Sequence, residues 1–237
     1  MNSLNKTSRL AGLLFVLSAV TGGFGLFYVR SNLIVTGDAA ATAANILAHE
    51  FLFRVAIVSN LLSPVLMLFF GLTMYRLFRE VDKALARVFI ASIMLTVAIA
   101  VVNALNNFGA LLVLSGVDYL KTFTPAQLDT MALLFLRLNN SGQGLLEIFW
   151  TPYYFSFGLL VVRSGYLPKV LGMLLMIMGV GYAINLLDKF LVPDFHPLAF
   201  TRLAMSLGAL GGIPTILWLL IKGVKEPSLE EPSRATV

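Results

Sequence analysis

Cysteine is absent from the 237 residues, and histidine occurs only at His49 and His196. The first absence excludes disulfides, thiol catalysis and cysteine metal sites; the second leaves too few imidazoles for a histidine metal centre. No metal site and no cofactor is therefore expected. Charge is scarce too, with Asp, Glu, Lys and Arg making up 12% of the chain against about 25% in ordinary soluble domains. There is no phosphate-cradling glycine loop, no GxSxG elbow and no second histidine after His49-Glu50. Nucleotide, serine-hydrolase and zinc-protease chemistry thus have no motif to stand on. No lysine sits inside an apolar run, which leaves no place for a retinal-type Schiff base.

What the chain has is apolar length. It is 58% hydrophobic with a mean hydropathy of +0.87, and nothing alternates in the ten-residue segments of an outer-membrane barrel. The predicted fold class is all-α: a polytopic membrane protein with six transmembrane helices at about 10–29, 51–75, 88–114, 124–162, 170–187 and 199–221. Residues 1–225 form one six-helix membrane domain, and 226–237 read as a disordered cytoplasmic tail. The net charge of +5 is dispersed over short loops, a pattern of membrane orientation and not of nucleic-acid binding. Of the 17 Lys and Arg, 11 fall on the side of the termini and 6 on the other. Both termini are expected in the cytoplasm and the protein in a bacterial inner membrane. Lys6 and Arg9 precede the first apolar run without a small-residue cleavage site, so an uncleaved first span is expected.

Local signals punctuate the spans. Asp38 before a run of alanines reads as the cap of a short outer helix leading into span two. Thr124, Pro125 and Gln127 form a capping-box signature at the start of span four. Short outer surface helices are thus predicted before spans two and four. Gly12, Gly22, Gly23 and Gly25 in span one, and Ala204, Gly208 and Gly212 in span six, predict close helix approach. Thr151-Pro152 predicts a kink in span four.

Polar residues at membrane depth mark where to look for a site. In span four, Arg137, Asn139, Asn140, Gln143, Glu147, Trp150 and Tyr154 fall within one arc of about 160°. Span three offers Ser92, Thr96, Asn103, Asn106 and Asn107 within about 100°, and the two faces are expected to pack together. Arg54, Arg137 and Arg202 each lie about one turn inside the outer end of an even-numbered span, after the similar stretches 50–54, 133–137 and 198–202. Either each guanidinium reaches the headgroups or a nearby acid (Glu50, Glu147 or Asp188), or all three converge on one outward pocket for an anionic or amphiphilic ligand. Glu147 is either a hydrogen-bond partner for the asparagines of span three or a carboxylate that contacts a ligand or carries a proton. The candidate ligand-binding set is Arg54, Asn60, Asn103, Asn107, Arg137, Asn140, Gln143, Glu147, Tyr154 and Arg202. No catalytic residues are identified.

Several segments resemble a bacterial integral-membrane family known only as a domain of unknown function, number 4386. They are Thr7-Ser8-Arg9-Leu10-Ala11-Gly12, Arg30 to Val35, Gly37 to Ala43, Leu52-Phe53-Arg54, Leu112 to Tyr119, Arg163 to Pro168, and Leu217 to Gly223. The resemblance implies a membrane protein and imports no activity. It also implies an acid at the place of Asn60, an acid and a histidine near Arg137 and Asn139, and an arginine at the place of Ile93, from which this chain departs.

Two functions remain open. The first is a membrane protein that binds or passes a small amphiphilic or anionic ligand through a polar cavity lined by spans two to four. The second is a non-catalytic scaffold or regulatory subunit. The expected partners are the lipid bilayer, a lipid or small amphiphile, and partner helices or further copies of the chain, without nucleic acid. A lipid-modifying enzyme is least favoured, because no nucleophile, base and oxyanion donor assemble from recognisable motifs.

Overall fold

Helix ends are fixed by local chemistry throughout the computed structural model, which describes residues 3–191 and 199–224. The side chains of Leu26, Asp188 and Lys189, and most of those before Gly211 in the last helix, lie outside that description. The first span is α1 (Ser3–Gly23), a π-helical segment (Phe24–Val29) and α2 (Arg30–Leu33) in continuous succession. Asp38 then caps α3 (Ala39–Ala48) by accepting the Ala41 N–H at 2.9 Å. The second span is α4 (Glu50–Phe78).

Asp82 caps α5 (Lys83–Asn103) through the Leu85 N–H at 3.0 Å, and α6 (Leu105–Leu114) follows after Ala104. Thr124 and Gln127 close the predicted capping box at the start of α7 (Pro125–Leu145), with Pro125 at the first position. Leu146 separates it from α8 (Glu147–Ser164). Gly165, in the left-handed region at φ +66°, ends α8 as a side chain with a Cβ would not readily do. Pro168 then precedes α9 (Lys169–Leu191), and α10 (Ala199–Ile221) is last.

The described residues are helical and contain no strand, in keeping with the all-α prediction. Five stretches are long and apolar enough to cross a membrane: Leu4–Leu33, Glu50–Phe78, Lys83–Leu114, Pro125–Ser164 and Lys169–Leu187. The last helix, α10, stands where the sixth span is expected; its described apolar part, Gly211–Ile221, is shorter. The predicted tail 226–237 and the outer loop with Pro193 and Pro197 lie outside the described residues.

One prediction needs correction, and two spans carry breaks that the sequence did not signal. Before span four there is only a three-residue 3₁₀ turn, Asp118–Leu120, and no α-helix comparable to α3. Span four is interrupted at Leu146, and Pro152, where a kink is predicted, lies within α8. Gly142 and Gly144 precede the interruption, each costing a helix about 0.5–1 kcal/mol, so the ladder yields there. Span three is interrupted as well, at Ala104, which no sequence signal indicated.

Neighbouring helices form a closed ring in the order α1, α4, α5, α8, α9, α10 and back to α1, with α6 and α3 packed on α7. Glycine sets the tightest crossings. A Cβ on Gly158 would lie 2.4 Å from the Gly172 carbonyl oxygen, and one on Gly172 would lie 2.5 Å from that of Gly158. On α1, Gly12 meets Leu220 of α10 and Gly22 meets Ser63 of α4, as predicted, while Gly23 meets only Phe27. Lipid is as apolar as these side chains, so close van der Waals fit and interhelical hydrogen bonds hold the ring.

The two antiparallel partners α1 and α4 give the bundle its poles. Phe15 stacks edge-on against Phe70, Ser18 bonds Ser63, and Gly25 abuts Asn60. At the pole of the termini, the Arg9 guanidinium donates to the Ile221 carbonyl at 3.2 Å and the Val224 N–H to Asn5 Oδ1 at 3.0 Å. Arg163 pairs with Asp82 at the same pole.

Two apolar cores divide the bundle between the poles. The core nearer the termini is aromatic, with Phe70, Phe78, Phe89, Tyr153, Phe157 and Tyr166 packed edge-on or tilted against one another. The core at the opposite pole joins Val29, Leu33, Ile46, Phe53, Ile57, Leu111 and Leu136.

Candidate functional site

A partly open chamber of about 340 Å³ lies between the two cores. Its far end is formed by Leu33, Ile34, Phe53 and Arg30, and its floor by Phe15, Met67, Ile93 and Tyr153. All three irregular points of the first four spans stand in its wall: the π segment through Gly25 and Val29, the interruption of span three at Ala104, and that of span four at Leu146. Non-helical backbone at membrane depth is tolerated where it is buried in protein or borders a cavity, and π segments recur at functional sites.

Two of the irregularities have a chemical counterpart. At Ala104 the Asn107 N–H turns to the Ala104 carbonyl, and the released Asn103 carbonyl accepts the side-chain amides of Asn139 at 3.0 Å and Asn106 at 3.2 Å. The Asn103 amide donates in return to the Asn139 carbonyl at 2.9 Å. In the π segment, Gly25 leaves room for a side chain from α4: a Cβ there would stand 2.3 Å from Asn60 Oδ1. The neighbouring serines are satisfied, since Ser18 and Ser63 each donate to the other's carbonyl, at 2.8 and 2.9 Å.

Other polar groups in the wall are not satisfied by protein. Asn107 is only 7% exposed, and its side-chain amide has no hydrogen-bond partner among the described residues. The same holds for the side-chain amides of Asn60 and Gln143, and for the guanidinium of Arg30. Buried polar groups are ordinarily paired, and leaving one unpaired costs about 1–3 kcal/mol. Asn107 is the buried member of this set, and Asn60, Gln143 and Arg30 are half-buried.

Of the ten residues singled out from sequence, the chamber wall contains Asn60, Asn107, Gln143 and Tyr154. Asn103 is buried beside it and committed to Asn139. Arg54 is paired with Glu50 at 2.7 Å, the local alternative considered for it. Arg137 and Asn140 are exposed and stand outside the chamber wall. Glu147 accepts a hydrogen bond at 2.6 Å from Asn185 of α9, not from the asparagines of span three. The side chain of Arg202 lies outside the described residues. Outside that set of ten, the wall also contains Thr96, Asn139 and Trp150 from the predicted polar faces, the glycines of span one read as packing positions, and Ser18, Arg30 and Tyr153, which were not singled out. Among the described residues no group of three or more His, Asp or Glu could hold a metal ion.

The family profile for the domain of unknown function DUF4386 matches residues 10–223. The chain belongs to that family. The DUF4386 match covers every element that builds the chamber. An uncharacterised protein of Archaeoglobus fulgidus is 33% identical over 138 residues, which cover 55% of this chain and 76% of the relative. No solved structure matches the chain.

Proposed function

We propose that this DUF4386 protein is a six-span protein of the cytoplasmic membrane, with both termini in the cytoplasm, whose chamber receives a small amphiphilic or anionic ligand. The orientation rests on the basic residues gathered near the pole of the termini, among them Arg9, Arg76, Arg79, Lys83, Arg163 and Lys222. The ligand-binding reading is carried by the buried Asn107 amide, without a protein partner beside Asn60 and Gln143 in a chamber of ligand size. Spans one to four all contribute, span one through its π segment.

Native mass spectrometry of the gently extracted protein tests this reading, with wild type compared to Ala100→Phe, which fills the chamber from α5. A discrete added mass in the wild type that is lost in the variant, at unchanged thermal stability, is the expected result. No added mass, or one equal in both proteins, overturns it. The reading as a helix-binding scaffold is favoured by one observation: Gly212 of α10 has no neighbour within 4 Å, beside Ile213 at 64% exposure.

A further inference from the structure

The chamber wall is uneven in its chemistry, and the unevenness runs along its depth. On α4 the wall extends from Phe53 to Met67, fourteen residues or roughly 21 Å at 1.5 Å per residue. A chamber of about 340 Å³ lined over that depth has room for an elongated molecule lying along the bundle axis.

Charge in the wall is of one sign. Among the described residues Arg30 is the only charged one in it, and no Asp or Glu contributes. At that pole Arg54 is neutralised by Glu50 and Lys121 by Asp118, at 2.5 Å, whereas Arg30 in the wall, like the exposed Arg137 outside it, has no ion pair or hydrogen bond through its side chain among the described residues. A guanidinium fork of this kind suits the oxygens of phosphate or carboxylate. One level deeper come the unpartnered amides of Asn60, Asn107 and Gln143, which suit hydroxyl and carbonyl groups. Deeper still, Thr96 is satisfied by the Ser92 carbonyl and the serine pair by itself, and the floor of Phe15, Met67, Ile93 and Tyr153 is apolar but for the Tyr153 hydroxyl.

Oxyanion, then neutral hydrogen-bonding groups, then one chain is the order of a monoacyl phospholipid. We infer that the chamber takes a lysophospholipid, with its phosphate on Arg30, its glycerol hydroxyl and ester carbonyl on the amides, and its single acyl chain directed at Phe15. This rests on the reading of the chamber as a ligand site and names the ligand's class.

Trp150 lies in the chamber wall, and the only other tryptophan, Trp218, lies on α10 with the Lys222 ammonium over its ring. In a Trp218→Phe background, Trp150 fluorescence therefore reports contact with a chain-brominated ligand. The probes are a brominated monoacyl phosphatidylglycerol, the matching monoacylglycerol without phosphate and the matching fatty acid, added to protein in nanodiscs of unbrominated two-chain phospholipid. Saturable quenching by the phospholipid is expected, with about tenfold or weaker apparent affinity for the monoacylglycerol and for Arg30→Gln. Arg30→Lys keeps the charge and should recover part of the loss, and Asn107→Leu should weaken binding without touching Arg30. Ala100→Phe should abolish the saturable component.

Equal quenching by the monoacylglycerol, unaffected by Arg30→Gln, overturns the phosphate assignment while the ligand-site reading survives. Equal affinity for the fatty acid, with the same dependence on Arg30, overturns the lysophospholipid in favour of a free carboxylate. No saturable quenching by any probe overturns both readings.

Discussion

Asn103 and Asn139 exchange hydrogen bonds, each donating its side-chain amide to the other's backbone carbonyl, at 2.9 and 3.0 Å. The exchange joins spans three and four where span three leaves its regular ladder. Gly142 makes it possible, because a Cβ there would stand 2.1 Å from Asn103 Oδ1. Asn103→Ala should cost about 1–2 kcal/mol, the range of interhelical polar contacts in membranes. Gly142→Ala should cost a similar amount by displacing the same amide, and the double variant should lose less than the sum. Detergent-unfolding titrations of the four proteins measure the coupling; full additivity would show that Gly142 does not serve Asn103.

The α8–α9 crossing predicts a sharper effect. A methyl group on Gly158 would meet the Gly172 carbonyl at 2.4 Å, and backbone cannot yield as a flexible side chain does. Gly158→Ala should destabilise by about 1–3 kcal/mol or more. Gly212→Ala, with nothing within 4 Å, should be neutral or stabilising by up to about 1 kcal/mol. Thermal unfolding of the pair in one detergent checks the contrast.

Glu147 and Asn185 carry a third prediction. Asn185 is buried, and its amide holds one carboxylate oxygen of Glu147 at 2.6 Å. Asn185→Leu leaves that carboxylate without its partner and should cost about 1–3 kcal/mol, while Glu147→Gln keeps a hydrogen-bonding pair and should cost less. If both variants unfold like wild type, the contact is not a source of stability.

At the pole of the termini, Asp82 gives a pH dependence. Its carboxyl titrates below the ordinary 3.8, chiefly because it accepts the Leu85 N–H, with Arg163 adding to the effect and partial burial opposing it. A group whose value is lowered on folding stabilises the fold at pH above its unfolded value and loses that contribution as pH falls through the folded one. Wild-type stability should therefore decline as pH drops from about 5 through 3.8 and below, and Asp82→Asn should flatten that part of the profile. Melting temperatures of the two proteins across this range, at fixed ionic strength, decide it.

The helices and their caps were legible because the signals are local. Asp38 and the Thr124–Gln127 box each act within a few residues, and both stand where expected. Arg54 was legible in part, since Glu50 lies one turn before it. The chamber was half legible. The polar arc of span four spans about 160°, wider than one wall: its flank with Asn139, Gln143, Trp150 and Tyr154 faces the chamber, while Arg137 and Asn140 on the other flank are exposed. Span one was missed as a wall because glycine clusters read as packing signals, and a π segment has no sequence rule. Gly25 lying against an in-span Asn60 is a pairing that only the antiparallel register of α1 and α4 supplies. Arg30 went unremarked for a related reason: in sequence it merely follows an apolar run, and its distinction is that it stands in the chamber wall without a counter-charge among the described residues.

The division into two apolar cores separates the fold into layers of unequal cohesion. Around the aromatic core the helices α4, α5, α8 and α9 run unbroken, whereas the opposite core is bordered by short pieces, α2, α3 and α6, of which α2 and α6 also border the chamber. Amide hydrogens of the second layer should exchange with deuterium well before those of the first, as one cooperative unit opening while the other stays closed. The protein would then keep an intact half around the aromatic core throughout every opening of the half built on the second core.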